Sequence, residues 1–256
     1  MWYETRVVKR GLTVPSGILP LDRVLDGGLH TGTITHVYGE AASGKTTLGL
    51  QFVNSACRIG VRTVYVNSES SSPIERLEQI IDKRFSQIED MVRILIPKSF
   101  DEQGAIIDDL ELYAREGTRL VVVDTLTRLY RSVLEDKATN YVAHRELNRQ
   151  TGFLKGLARL GDMAVLVLNQ VRGVPGDYSA FEPVAKNILD YWADYVMQMR
   201  IGQSRAQRFI ERTRPEGDRK TAVLYLTRRG LSSTPEPAET GKWSEERTQQ
   251  GSTPDV

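Results

Sequence analysis

The sequence is short of cysteine and of long apolar runs. Cys57 is the only cysteine among 256 residues, so neither an internal disulfide nor a cysteine-based metal cluster can form. No apolar run is long enough to cross a bilayer, and residues 1–6 lack the apolar segment of a secretory signal. These absences exclude disulfide scaffolds and membrane spans, and they favour a reducing, cytoplasmic setting.

The chain as a whole also lacks an excess of either charge, although one segment of it is basic. The sequence has 34 basic and 33 acidic residues, a formal net charge of +1. Residues 205–229, however, contain eight basic and three acidic residues, and residues 230–256 are net acidic. A basic segment on a near-neutral protein indicates either an anion-binding surface or an ordinary solvated hairpin face, and the sequence leaves both open.

The chain does contain a phosphate-binding loop. Residues 39–46 match the pattern G-x-x-x-x-G-K-[S/T], between β-forming residues 34–38 and the start of a helix at residues 47–53. In such a loop backbone N–H groups face the phosphates, and the helix directs its positive end at the same anion. We expect Lys45 to reach the β- and γ-phosphates and Thr46 to place its hydroxyl on Mg²⁺. The predicted nucleotide-binding residues here are Gly39, Glu40, Ala41, Ala42, Ser43, Gly44, Lys45, Thr46 and Thr47.

A second nucleotide motif is predicted at Asp124. In the predicted strand 119–124, residues 120–123 form an apolar run that ends in this carboxylate, and such a run is typical of a parallel strand buried on both faces. Downstream of a phosphate loop, an aspartate in this place helps to hold Mg²⁺ on the nucleotide, usually through water. The alternative is an N-cap for a helix that begins near residue 125.

Two further strands end in polar side chains, Glu69 and Gln170. Ligands of open α/β sheets lie at the carboxyl ends of the strands, so both residues are expected near the phosphate loop. Glu69 could orient or deprotonate an attacking water, and Gln170 could sense the γ-phosphate. The alternatives are a helix-capping carboxylate and a strand-end amide without a role.

The remaining pattern completes an α/β chain. Apolar residues predict helices at 18–25, 73–84, 103–116 and 141–160 and strands at 61–67, 91–96, 163–170 and 193–201. Residues 126–139 are predicted as a loop or broken helix, and residues 171–186 as a flexible polar loop. Residues 207–213 and 221–227 predict a β-hairpin. We divide the chain into a core of residues 1–231, with a lead-in at 1–33, and a disordered tail at 232–256.

The ordered set of motifs resembles the RecA/RadA recombinase superfamily, and within it the short archaeal paralogues called RadB. The resemblance covers about residues 16–231 and depends on several stretches in addition to the phosphate loop. These stretches are residues 17–29, 64–69, 73–77, 121–127, 145–150, 168–171, 191–194 and 226–231.

The resemblance implies a RecA-like P-loop ATPase core, with a mostly parallel twisted sheet flanked by helices and a C-terminal β-hairpin. It implies a protein that uses ATP and Mg²⁺, binds single-stranded or branched DNA, and assists homologous recombination and DNA repair with slow, DNA-linked hydrolysis. Glu69 would activate water, Gln170 would sense the γ-phosphate and Arg76 would stack beside the adenine. DNA would be held by residues 126–139 and 171–186, through Arg128, Arg131, Arg172 and Lys186.

The chain also departs from full-length recombinases, because it has no room for their N-terminal helical domain and polymerisation motif ahead of the core. Two alternatives therefore stay open: a non-hydrolysing ATP-binding mediator or regulator of the main recombinase, and a signalling ATPase of the KaiC type. Candidate protein partners are the main recombinase, a junction-processing nuclease and further copies of the same chain.

Overall fold

A ten-stranded sheet forms the centre of the computed structural model, which describes residues 11–69, 72–174 and 177–236, with backbone alone at 174 and 177–180. A separate two-stranded ribbon precedes it. The strands are β1 (Thr13–Val14), β2 (Leu29–His30), β3 (Ile34–Gly39), β4 (Arg62–Asn67), β5 (Val92–Leu95), β6 (Thr118–Asp124), β7 (Ala164–Val174), β8 (Asp177–Pro183), β9 (Tyr195–Ile201), β10 (Gln207–Arg214), β11 (Lys220–Thr227) and β12 (Gly230–Ser232). The helices are α1 (Leu19–Val24), α2 (Lys45–Arg58), α3 (Ile74–Ile81), α4 (Phe100–Asp108), α5 (Leu110–Tyr113), α6 (Arg128–Ser132), α7 (Lys137–Leu160) and α8 (Lys186–Trp192), with a 3₁₀ turn at Phe85–Gln87.

The sheet has a parallel part and an antiparallel part. Strands β5, β4, β6, β7, β3 and β9 lie side by side in that order and are parallel. Strands β10, β11 and β12 continue the sheet in antiparallel fashion, and β8 pairs antiparallel with the end of β7. The predicted α/β class, mostly parallel sheet and C-terminal hairpin are thereby confirmed.

Two apolar layers cover the faces of the sheet, because successive side chains of a strand point to opposite sides. Val122 packs in a layer with α2 and α3, whereas Val121 and Val123 pack in the opposite layer with α4 and α7. This double coverage explains why the central strands are almost wholly apolar. Polar side chains can be accommodated only where these strands end.

The register of the strands aligns their ends along one edge. Gly39 lies beside Gln170, and Asp124 lies beside Asn67 on one side and Leu168 on the other. The carboxyl ends of β3, β4 and β6 therefore meet Gln170 of β7 where ligands of open α/β sheets bind, and β7 itself continues beyond this edge to Val174.

The two segments predicted to lack long regular elements differ in outcome. Residues 126–139, predicted as a loop or broken helix, contain the short helix α6, and α7 already begins at Lys137. In residues 171–186, β7 continues to Val174 and pairs with β8, so the predicted flexible loop is wrong for the hairpin strands. Residues with β-propensity flank a Pro-Gly pair there, a pattern that favours a hairpin. The pairing also satisfies backbone groups that a free loop would leave to water.

Parts of the sequence-based division lie outside the described residues, namely residues 1–10 of the lead-in and 237–256 of the predicted tail. The division into core and tail therefore stays a prediction. Within the described ranges, no helix combines the length and the apolar character needed to span a membrane.

Candidate nucleotide-binding site

The phosphate loop connects β3 to α2 through two positions that require glycine. A Cβ on Gly39 would lie 2.2 Å from the main-chain oxygen of Met199 in β9, so no side chain fits there. Gly44 has a φ of +97° at the N-cap of α2, in the left-handed region that favours glycine. The first N–H groups of a helix have no partner within it, so the start of α2 is suited to bind an anion.

Lys45 is folded back onto the loop that precedes it. Its Nζ donates to the carbonyl oxygens of Gly39 at 2.9 Å and Glu40 at 2.7 Å, and to Ser43 Oγ at 3.3 Å. Burial lowers the pKa of Lys45, and the carboxylates of Asp124, Glu69 and Glu40 oppose this effect. The ammonium group is thus held at the loop, in reach of a phosphate that would replace the carbonyl oxygens.

Asp124 is fully buried at the end of β6 with half of its carboxylate unused. Oδ2 accepts a hydrogen bond of 2.7 Å from the hydroxyl of Tyr65, whereas Oδ1 has no partner among the described residues. Burial raises the pKa of Asp124, and the hydroxyls of Tyr65 and Thr46 counteract the rise. A buried, unpaired carboxylate oxygen next to Thr46 fits the oxygen ligands that Mg²⁺ prefers, directly or through its waters.

Glu69 and Gln170 contact each other although 101 residues separate them. Glu69 Oε1 accepts hydrogen bonds from Gln170 Nε2 at 3.1 Å and from Thr125 Oγ1 at 3.2 Å. The carboxylate is therefore held at the same sheet edge as Asp124. Two fixed donors position it as a group that could orient a water molecule.

Lys45, Glu69 and Gln170 line one cavity of about 390 Å³, whereas the fully buried Asp124 is not part of its lining. The phosphate loop forms one wall, Glu69, Thr125 and Gln170 form another, and Leu226 of β11 closes a third side. Its size lies within the range of small-molecule sites in proteins. The residues predicted from separate motifs are thus brought together around a single space.

The predicted DNA-contacting residues have different surroundings. Arg131 is exposed and donates to Gln170 Oε1 at 3.2 Å, so it connects α6 to the cavity. Arg128 is half-buried and binds the carbonyl oxygen of Ser68. Arg172 pairs with Glu182 across the β7–β8 hairpin at 2.8 Å.

Lys186, the fourth predicted DNA contact, is exposed at the start of α8 and pairs with Asp190 one turn later. All four cations therefore have partners within the protein, and a DNA phosphate would compete with those partners. Their role in DNA binding stays a prediction.

Arg76, predicted to stack beside the adenine, is bound to the turn between β11 and β12. It donates to the carbonyl oxygens of Thr227 at 2.9 Å and Arg228 at 2.7 Å, and burial lowers its pKa. Those carbonyls follow Leu226, which lines the cavity. Arg76 thereby lies one residue from the cavity wall, and its stacking role stays a prediction.

The basic segment at residues 205–229 makes many contacts within the protein, and three of its side chains, Arg212, Arg219 and Lys220, form ion pairs. Arg212 is fully buried and pairs with Asp26 at 2.6 Å, and Arg219 pairs with Glu211 at 2.6 Å. At least five of its eight basic side chains are hydrogen-bonded within the structure: Arg208, Arg212, Arg214, Arg219 and Lys220. Part of this charge is therefore used within the hairpin, which weakens the interpretation of the whole segment as an anion-binding surface.

Sequence reasoning missed several residues of the site. Tyr65 is an inward residue of β4, and periodicity alone predicts a core aromatic rather than a donor to Asp124. Thr125 could have been found, because it directly follows the predicted metal-binding aspartate. Leu226 and Arg208 lie in stretches that the sequence singles out, but their contact with the phosphate loop could not be predicted, because both reach it only through strand pairing in the C-terminal hairpin.

Comparison with known proteins identifies the family. A family model described as Rad51 matches residues 8–233. DNA repair and recombination protein RadB of Methanococcoides burtonii is 33% identical over 219 residues, 84% of this chain and 96% of that protein. RadB of Methanothermobacter thermautotrophicus is 31% identical over 208 residues, 78% and 88% of the two chains. RadB of Archaeoglobus fulgidus is 38% identical over 163 residues, 62% and 71% of the two chains.

The matched region includes the phosphate loop, the strand ends that carry Glu69, Asp124 and Gln170, and the C-terminal hairpin. The family model spans most of the chain, and two relatives above 30% identity align over 96% and 88% of their own length, so family membership follows directly. The chain belongs to the Rad51 family, within the RecA/RadA recombinase superfamily, and its relatives include the archaeal RadB proteins.

Proposed function

We propose that this protein binds ATP with Mg²⁺, binds DNA, and acts in homologous recombination and DNA repair, with slow, DNA-dependent ATP hydrolysis. The observation that carries the proposal is the convergence of Lys45, Glu69 and Gln170 on one cavity, at the same sheet edge where the buried Asp124 ends β6. The relatives named DNA repair and recombination proteins support the biological role. The proposal includes a cytoplasmic setting shared with the DNA.

Nucleotide binding would depend mainly on the phosphate loop. Lys45 would exchange its hydrogen bonds to Gly39 and Glu40 for phosphate oxygens, and the N-terminus of α2 would face the same anion. Bound Mg²⁺ would neutralise charge on the triphosphate. Thr46 and the unpaired Oδ1 of Asp124 are the groups available to hold it.

Hydrolysis would depend on Glu69 and Gln170. Gln170 and Thr125 hold the Glu69 carboxylate in place, so that it can accept a proton from a water directed at the γ-phosphate. Because both donors bind the same oxygen, Oε1, the other carboxylate oxygen is the one we assign to the water.

DNA would act on the nucleotide site through Arg131. This side chain is exposed, follows the end of β6, and donates to the amide oxygen of Gln170. A DNA phosphate that attracted Arg131 would release that oxygen and change the contact between Gln170 and Glu69. We place the DNA along this edge of the molecule, with Arg128, Arg172 and Lys186 as further contacts.

Two substitutions test the nucleotide site. We expect Lys45→Ala to weaken ATP binding by about a hundredfold, because charge-assisted hydrogen bonds to phosphate are lost. Glu69→Gln should leave ATP affinity within about twofold but lower single-turnover hydrolysis at least a hundredfold, the scale of general base catalysis. Glu75→Gln, an exposed carboxylate on α3, is the matched control and should change neither.

The same measurements separate the alternatives. Hydrolysis stimulated by single-stranded DNA and lost in Glu69→Gln supports the ATPase. Tight ATP binding without turnover would instead support a mediator or regulator of the main recombinase. A DNA titration at several salt concentrations should show affinity that falls steeply as salt rises. Absence of DNA binding even at low salt would favour a signalling ATPase.

A further inference from the structure

Arg208 of β10 lies against the outer side of the phosphate loop. Its side chain is 4% exposed, and one terminal nitrogen donates to the main-chain oxygen of Ala42 at 3.1 Å. The other terminal nitrogen donates to the carbonyl oxygens of Arg205 at 2.6 Å and Gln207 at 2.8 Å. A single guanidinium therefore joins the turn before β10 to the middle of the phosphate loop.

The positive charge of Arg208 has no local counterion. Among the described residues, no carboxylate lies within ion-pair distance of it, and its Nε has no hydrogen-bond partner. Burial lowers its pKa without an opposing charge. Arg212, four residues later on the same strand, is also buried but pairs with two aspartates. The two arginines therefore have different electrostatic surroundings on one strand.

A buried, unpaired cation is costly, so its position needs a compensating partner. The Nε of Arg208 lies 3.6 Å from the point that a Cβ on Gly44 would occupy, directly behind the start of α2. On the other side of that turn is the cavity lined by Lys45 and Thr46. A phosphate bound there would place negative charge on the other side of the loop from this guanidinium.

We propose that Arg208 is a positioning residue for the phosphate loop, which holds the Ala42–Ser43 peptide in place and adds a positive charge behind the site of a nucleotide's β-phosphate. The N–H of Ser43 donates to the carbonyl oxygen of Glu40 at 3.2 Å in this structure. A donor on the Ala42 carbonyl polarises the Ala42–Ser43 peptide, so this N–H becomes a stronger donor to a phosphate that replaces the Glu40 carbonyl. This inference rests on the proposed ATP-binding function. It assigns Arg208 no contact with the nucleotide.

The test compares nucleotides with and without a β-phosphate. Titration calorimetry would measure the dissociation constants of ADP with Mg²⁺ and of AMP for the unmodified protein, Arg208→Gln, Arg208→Lys and Arg200→Gln. Arg200→Gln is the matched control, because it removes the same charge from a half-exposed side chain that pairs with Glu211 on the neighbouring strand. Circular dichroism and urea unfolding would show that each variant is folded at the titration temperature.

We expect Arg208→Gln to weaken ADP binding about tenfold and AMP binding less than twofold, because only ADP places a β-phosphate in the loop. Arg208→Lys keeps the charge but not the geometry, and should lower the preference for ADP about threefold. Arg200→Gln should bind both nucleotides like the unmodified protein. If Arg208 had a purely structural role, Arg208→Gln would weaken the binding of ADP and AMP alike, and that result would overturn the proposal.

If Arg208→Gln does not fold, Arg208→Lys decides: an unchanged preference for ADP over AMP would overturn the proposal. Failure of the unmodified protein to bind either nucleotide would instead contradict the proposed function itself. An unmodified protein that binds ADP, together with an unaffected Arg208→Gln, would remove only this inference. The two failures are therefore distinguishable.

Discussion

Tyr65→Phe tests how the buried carboxylate of Asp124, the proposed Mg²⁺ ligand, is maintained. The Tyr65 hydroxyl donates to Asp124 Oδ2 at 2.7 Å, and both side chains are buried. Oδ1 of Asp124 already has no partner in the described structure. Phenylalanine keeps the aromatic ring and its packing, so the substitution removes chiefly the hydrogen bond to the carboxylate.

The expected cost depends on the charge of Asp124. A hydrogen bond to an ionised group contributes about 1.5–3 kcal/mol, and one to a neutral group about 1 kcal/mol. We expect Tyr65→Phe to lower the free energy of unfolding by about 2 kcal/mol at neutral pH. Burial raises the pKa of Asp124 and Tyr65 opposes the rise, so the substitution raises that pKa further.

The pH dependence follows from that raised pKa. A carboxyl whose folded pKa exceeds its unfolded value stabilises the fold at low pH, and this contribution is lost as pH rises through the folded pKa. The loss of stability with rising pH is larger in Tyr65→Phe, because the pKa of Asp124 is higher in that variant. The difference in stability between the variant and the unmodified protein should therefore shrink on acidification, as Asp124 becomes protonated.

Urea unfolding without nucleotide provides the assay, with Asp124→Asn as the second arm of a double-mutant cycle. In the Asp124→Asn background we expect Tyr65→Phe to cost only about 1 kcal/mol, because the lost hydrogen bond is neutral. Asp124→Asn alone should stabilise the nucleotide-free protein, since it removes a buried charge. Equal costs of Tyr65→Phe in both backgrounds would refute the reasoning. Tyr130→Phe, at a buried hydroxyl bonded to His144, is the control for loss of a phenol without a carboxylate.

Further predictions concern the loop and the hairpin. Gly39→Ala should lower the unfolding free energy by at least about 2 kcal/mol in urea titrations, because its Cβ would meet a neighbouring strand. Arg212→Met should cost about 2–3 kcal/mol, whereas Arg219→Met, at an exposed ion pair, should cost under about 1 kcal/mol. Equal losses for the two arginines would contradict this assignment. The hydrogen bond from Lys220 and the contact with Arg212 lower the pKa of Asp26, so this network stabilises the fold above the ordinary aspartate pKa and the stabilisation fades as pH falls through the lowered value. In Lys220→Met, the free energy of unfolding should therefore fall less on acidification than in the unmodified protein.

Local chemistry and periodicity were enough to predict much of the site. The spacing of Gly39, Gly44 and Lys45 defines the phosphate loop, because backbone curvature and phosphate contact depend on residues adjacent in the chain. A buried strand can carry a carboxylate only at its end, which makes Asp124 conspicuous. The same reasoning predicted Glu69 and Gln170 at the sheet edge, although not their mutual contact.

The order of the strands in the sheet determined the contacts that local sequence patterns do not predict. Contacts between residues 101 positions apart, as for Glu69 and Gln170, exist because β6 lies between β4 and β7 in the sheet. In the same way, the buried charge of Arg212 in the C-terminal hairpin is compensated by Asp26, which is 186 residues away in the sequence.

By itself, then, the sequence determined the loop, the buried strands and the types of side chain at their ends, since these depend on neighbouring residues. Only the tertiary structure decided which side chains share a carboxylate, which cations are neutralised, and that Arg208 lies behind the phosphate loop without a counterion in the described part of the protein. The physical reason is that electrostatic energy depends on distance in space and on burial, and neither is encoded in local spacing.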